Sequence, residues 1–138
     1  MIYAVIDTNV LVSALLTHNQ LAPTARTLDF ISEGRITPVY NEDILAEYTE
    51  VLHRPKFHLS DDDIDNMLDY IRQYGIHSDR IPFDGDMPDE KDRPFYEVSL
   101  SIEDSFLVTG NLKHFPATPK VISPADMVTL IEQNRFTR

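Results

Sequence analysis

The sequence predicts an α/β fold on a parallel sheet of about four to five strands, and three observations carry that expectation. Short apolar, β-rich runs recur along the chain, Ile2–Ile6 and 105–109 being the clearest. Stretches with helical apolar spacing lie between them. The junctions carry helix-start chemistry, as at Asp7-Thr8-Asn9, Asn41, Ser60-Asp61 and Ser123-Pro124. Strands alternating with helices imply right-handed crossovers within one sheet. A chain of 138 residues suits one domain, 1–138, with a core of useful size.

Each element follows from its residues. The run 2–6 reads as a buried strand, Asp7-Thr8-Asn9 breaks it, and 10–16 resumes with helical character. Pro23 suits the first turn of a helix over 23–34; Ala25, Leu28 and Ile31 space its apolar face, and Gly34 stops it. Residues 35–39 form a short strand whose far end Pro38 weakens. Asn41 opens a helix over 42–52, with Ile44, Leu45, Tyr48, Val51 and Leu52 facing inward, and Arg54-Pro55 ends it. Ser60 and three following Asp residues start a helix that runs to about Tyr74, where Gly75 stops it.

Residues 76–83 have room for a short edge strand, and 84–93 form a loop dense in Asp, Gly and Pro. Phe95, Val98 and Ile102 mark a helix after Asp92; 105–109 is a buried strand closed by Gly110-Asn111; 120–122 is a last strand. Ser123 and Pro124 then start the final helix. No internal repeat, linker or low-complexity segment interrupts this order.

Composition narrows the chemistry. With no cysteine, disulfides, thiolate metal sites and cysteine nucleophiles are excluded. No apolar run approaches the roughly 20 residues that cross a bilayer. No secretory leader is legible, so a cytoplasmic location is expected. Twelve Lys and Arg against 23 Asp and Glu leave a net charge of −11. Such a chain does not bind nucleic acid by bulk electrostatics. Acidity of this kind serves solubility, a basic partner, or a carboxylate cluster that holds divalent cations.

Three acids fall at informative places. Asp7 lies at the C-terminal tip of the first strand, where open α/β sheets bind ligands. Glu47 falls among the inward positions Ile44, Tyr48 and Val51, and Asp92 immediately precedes a helix. Inward-facing acids are costly unless paired or neutralised, and a divalent cation satisfies several at once. Plainer roles stay open for each: Asp7 or Asp92 as an N-cap, Glu47 as a half-exposed helix acid, Asp104 as a turn residue. Other chemistries lack their signatures. There is no phosphate-binding loop, dinucleotide fingerprint or serine elbow, and the five histidines lack HxxxH spacing. Asp-Thr-Asn also lacks the second Asp that an aspartyl-phosphate phosphatase needs.

Four segments in this order resemble the PIN-domain family, in particular prokaryotic VapC-like toxin components of toxin–antitoxin pairs. They are 4–15, which contains Asp7-Thr8-Asn9; 44–52, which contains Glu47; 89–98, which contains Asp92; and 107–116, which contains Thr109-Gly110-Asn111. The resemblance covers nearly the whole chain and implies a three-layer α/β/α fold and a metal-dependent ribonuclease. It assigns Asp7, Glu47, Asp92 and Asp104 as catalytic acids and ligands of Mg²⁺ or Mn²⁺. Thr8, Asn9 and Asn111 are implied to orient ligands and waters. Many PIN domains carry Asp where this chain has Asn111, which brings no charge to the metal. Lys113 and His114, then Arg93, Arg54 and Lys56, are candidates for phosphate contact. Single-stranded RNA is the implied substrate, with an antitoxin as a possible partner and a homodimer through the first two helices. Two other readings compete: a PIN-like module that binds RNA or protein without cutting, and a metal-dependent phosphatase or DNA nuclease.

Overall fold

The computed structural model describes residues 2–136. Among them five strands form one parallel sheet: β1 (Ile2–Ile6), β2 (Ile36–Tyr40), β3 (Ile76–His77), β4 (Phe106–Val108) and β5 (Val121–Ile122). Six helices complete a three-layer α/β/α fold: α1 (Thr8–Leu16), α2 (Pro23–Ser32), α3 (Glu42–Leu52), α4 (Asp61–Tyr74), α5 (Arg93–Ser99) and α6 (Pro124–Phe136). Short 3-10 turns occupy Pro55–Phe57, Glu90–Asp92 and Leu112–His114.

The strand order is β3-β2-β1-β4-β5. The chain therefore winds outward on one side of β1, then crosses back to build the other. That reversal creates a switch point beside the C-terminal ends of β1 and β4, where parallel sheets leave a crevice. Ala4, Val5 and Ile6 are wholly buried at the sheet's centre. Full burial of one large aliphatic side chain contributes about 1.5–3 kcal/mol, so β1 is a rigid base for whatever follows it.

Two contacts tie the helices to that base. Tyr48 of α3 is buried, and its hydroxyl donates to the Ile6 carbonyl at 2.5 Å. Its ring meets Phe95 of α5 at 6.1 Å between centroids. One side chain thus couples the tip of β1 to the helix that carries Glu47 and to the helix that follows Asp92.

Two expectations are corrected. The break after β1 is shorter than the residues suggested, because α1 starts at Thr8 with Asp7 as its cap. Pro38 does not weaken β2, which runs through it to Tyr40. Pro38 pairs with Ala4 on β1, while the pairing of β3 begins only at Val39, so β2 on that side has little ladder to lose at Pro38. The short edge strand expected within 76–83 is present as β3, at one end of the strand order.

Candidate functional site

Asp7 emerges from β1 directly beside β4, its backbone N–H bonding to the Val108 carbonyl at 2.9 Å. It is only 5% exposed. One carboxylate oxygen accepts from the Thr8 N–H at 2.8 Å, and the other accepts from the Thr109 hydroxyl at 2.7 Å and from Asn9 Nδ2 at 3.2 Å. Capping and site-building are thus both done by one side chain. Burial pushes the Asp7 carboxyl above its ordinary range, with the Thr109 and Thr8 bonds and His114 opposing.

The structure supplies a control for how this fold treats a buried acid it wants neutralised. Glu97 of α5 is 6% exposed, and Arg80 lies 2.7 Å from its carboxylate while the Phe83 N–H bonds to it at 2.8 Å. Burial works to raise its pKa, but Phe83 and Arg80 outweigh burial and hold it below the usual glutamate value. Among the described residues Asp7 has no such arginine. Glu47, half-buried, makes no hydrogen bond or ion pair among the described residues; burial, then Glu50, raises its pKa against the opposing charge of Arg54, with smaller effects from Asp7 (raising) and Lys91 (lowering).

Asp92 completes the group. It caps nothing with its side chain, so the capping role open to it on sequence is not the one it plays. Its carboxylate accepts instead from His114 Nδ1 at 3.1 Å. Burial, then the charges of Asp7 and Asp89, push it up to about 6 despite His114. Asp89 sits three residues earlier as the cap of the 3-10 turn Glu90–Asp92, 3.8 Å from His114 Nδ1. Ligand atoms of Asp89, Asp92 and His114 all lie within 4.8 Å of one another. On its other side, His114 Nε2 is 2.8 Å from Asn111 Nδ2. The neutral imidazole with its hydrogen on Nδ1 satisfies both neighbours.

Asp7, Thr8, Asn9, Glu47, Asp92 and His114 line one cleft of about 340 Å³ at the switch point. Thr8 adds a buried hydroxyl without a partner among the described residues. Asn9 Oδ1 accepts from the Gly110 N–H at 3.0 Å, and the Asn111 N–H donates to the Thr109 hydroxyl at 2.9 Å. The first bond ties the turn after β4 to the first turn of α1, and the second tightens that turn itself. Loop 78–93 is held as firmly: Arg80 bridges Glu97 to Asp43, and Arg93 bonds Glu90 and the carbonyls of Phe83 and Gly85.

Some expected residues lie elsewhere. Asp104 is exposed, has a left-handed backbone (φ 64°), and precedes β4. In a parallel sheet the start of β4 and the end of β1 are at opposite edges, so Asp104 cannot join Asp7. It borders a separate cavity with Tyr96, Thr118 and Lys120. Asp tolerates the left-handed turn there better than most residues do. Lys113 is exposed and does not line the cleft, whereas its neighbour His114 does. Arg93 is committed to its loop, and Lys56 rests over the Phe57 ring at 5.1 Å. Arg54 does reach the cleft, with Phe57, Val12 and Val51. Asp89, Thr109 and Phe57 were not singled out from sequence. The i, i+3 spacing of Asp89 and Asp92 was the available signal for the first of them.

The family model described as PIN domain matches residues 3–113. The chain belongs to the PIN-domain family. No curated protein and no solved structure matches it significantly. PIN domains are generally metal-dependent nucleases, and this PIN domain has a donor set that fits a divalent ion. It presents hard carboxylate oxygens from several elements, a buried acid without a cationic partner, and an unsatisfied buried hydroxyl beside it. His114, its two ring nitrogens engaged by Asp92 and Asn111, stands beside this donor set and would join it only by giving up its bond to Asp92.

Proposed function

We propose that this PIN domain is a metal-dependent endoribonuclease that cleaves single-stranded RNA. The observation that carries the reading is the meeting of Asp7, Glu47 and Asp92 in one cleft with no arginine or lysine in ion-pair contact with them among the described residues. Asp7, Glu47 and Asp92 would hold Mg²⁺ or Mn²⁺, directly or through water, with Asp89 and His114 beside them. When bound, such an ion supplies Lewis-acid stabilisation of phosphate charge and an acidified water.

The chain's own residues prepare that chemistry. Thr109 and Asn9 fix the plane of the Asp7 carboxylate, and His114 fixes one oxygen of Asp92. The Thr8 hydroxyl is a free donor and acceptor for an ordered water. Asn111 acts through His114, which its amide orients.

The proposal extends to a toxin held in check by an antitoxin in the cytoplasm, and to a homodimer. Leu16 and Leu21, 43% and 78% exposed at the end of α1 and in the turn after it, support an apolar contact face. No helix among the described residues is long and apolar enough to cross a membrane. A second reading, a binding module with weak or absent cleavage, is favoured by Asn111, which brings an amide where a carboxylate would add charge. A panel of single-stranded RNA, single- and double-stranded DNA and a small phosphate ester, each with Mn²⁺ or Mg²⁺, tests the proposal. Cleavage of RNA alone is expected. RNA binding without cleavage would favour the module, and preferential hydrolysis of DNA or the ester would replace the substrate assignment.

A further inference from the structure

The acids occupy one part of the cleft, and the remainder has a different character. On α1, Val12 lies one turn beyond Thr8; on α3, Val51 lies one turn beyond Glu47, and both valines line the cleft. Arg54, three residues past Val51, lines it too, as does Phe57 on the next 3-10 turn. From α3 into the turn that follows it, the lining therefore passes from acidic Glu47 to apolar Val51 to basic Arg54. Arg54 is the cleft's one Lys or Arg among the described residues, and Glu50 holds its guanidinium at 3.0 Å. Phe57 is its one Phe, Tyr or Trp among the described residues, half-buried, with Lys56 Nζ over its ring at 5.1 Å.

We infer that Val12, Val51 and Phe57 form a subsite for one unpaired nucleobase, and that Arg54 holds the adjoining phosphate. This rests on the nuclease reading above and deepens it. A chain of net charge −11 gains little from diffuse attraction to a polyanion. Its hold on RNA must come from short-range contacts at the cleft, and a ring face with two valines supplies the apolar surface on which a base stacks. A base held in a duplex cannot enter such a pocket without leaving its stack. The subsite therefore selects single strands by shape and selects base identity weakly, because every base has a π-face.

The test measures KM and kcat on a fluorescein-labelled single-stranded RNA dodecamer with MnCl₂, beside the same strand annealed to its complement, with anisotropy as a binding readout. Phe57→Leu keeps an apolar side chain for packing but removes the ring, and circular dichroism checks its fold. It is expected to raise KM about tenfold with little change in kcat. Arg54→Gln should raise KM and flatten the salt dependence by about 0.7 in log–log slope. The duplex should be cut far more slowly than the single strand. Wild-type KM in both variants, or equal cutting of duplex and single strand, would overturn the subsite and leave the nuclease reading standing. Binding without cleavage, weakened by Phe57→Leu, would support the subsite while removing the nuclease. Neither binding nor cleavage by the wild type would remove both.

Discussion

Replacing Asp92 by Asn should stabilise the metal-free protein and abolish its response to divalent cations. In the fold the Asp92 carboxyl is pushed from 3.8 up to about 6, chiefly by burial and then by Asp7 and Asp89. A carboxyl whose pKa is raised on folding favours the native state fully below its unfolded pKa, near pH 4. That advantage is lost as pH rises through about 6, so at neutral pH and above the ionised group is a burden. The displacement corresponds to at most about 3 kcal/mol. The side chain keeps 17% of its surface in solvent and titrates together with neighbouring acids, so an effect on the order of 1–2 kcal/mol is expected. For a domain of this size that is about 3–8 °C in Tm.

Asparagine preserves the volume and, through its carbonyl, still accepts from His114 Nδ1, so the substitution isolates the charge. Thermal unfolding at pH 7.5 in EDTA should place Asp92→Asn above wild type, and at pH 4.5 the gap should narrow. Millimolar MnCl₂ should then raise the wild-type Tm, since a ligand at about 100 times its Kd stabilises by about 2.7 kcal/mol, and should leave the variant nearly unmoved. A variant less stable than wild type in EDTA at pH 7.5 would refute the reasoning, because Asp92 would then be stabilising on its own. Equal responses to Mn²⁺ would remove Asp92 from the metal's ligands.

Two further outcomes follow from placement. Asp104→Asn should leave metal-dependent cleavage within about twofold of wild type, because Asp104 lies at the far edge of the sheet; a loss of cleavage with the fold intact would mean that the acid acts at a distance this geometry does not explain. Asn111→Asp should tighten Mn²⁺ binding, measured by calorimetry, by placing a carboxylate beside His114 and the acid cluster; unchanged affinity would put position 111 outside the ion's reach.

The parts of this site legible from sequence were those set by local rules. A buried apolar run ending in Asp7 marks a strand tip, and the spacing of Ile44, Tyr48 and Val51 puts Glu47 on the edge of an inward face. Asp104 rests on the family resemblance alone, and the direction of β4 sets it apart from Asp7. Before a parallel strand and after one are opposite ends of the sheet. His114 and Lys113 were indistinguishable as neighbours, since a 3-10 turn rotates successive side chains by about 120° and sends one to the cleft and the other to solvent. The Thr109–Asp7 bond spans 102 positions and exists only because β4 pairs with β1. Strand order was not readable from the residues, so this contact could not be either.

The most direct test of the central claim is cleavage of a labelled single-stranded RNA in Mn²⁺ or Mg²⁺ by wild type and by Asp7→Asn prepared identically. Asn at this position keeps Oδ1 to accept from the Thr8 N–H and turns Nδ2 toward the Thr109 hydroxyl, which can accept, while the charge and the bond from Asn9 are lost; circular dichroism checks that the fold persists. The account predicts metal-dependent cutting by wild type that falls by at least about a hundredfold in Asp7→Asn, the scale of losing one strong electrostatic contact at a reacting centre. Equal cutting by the two preparations would contradict it.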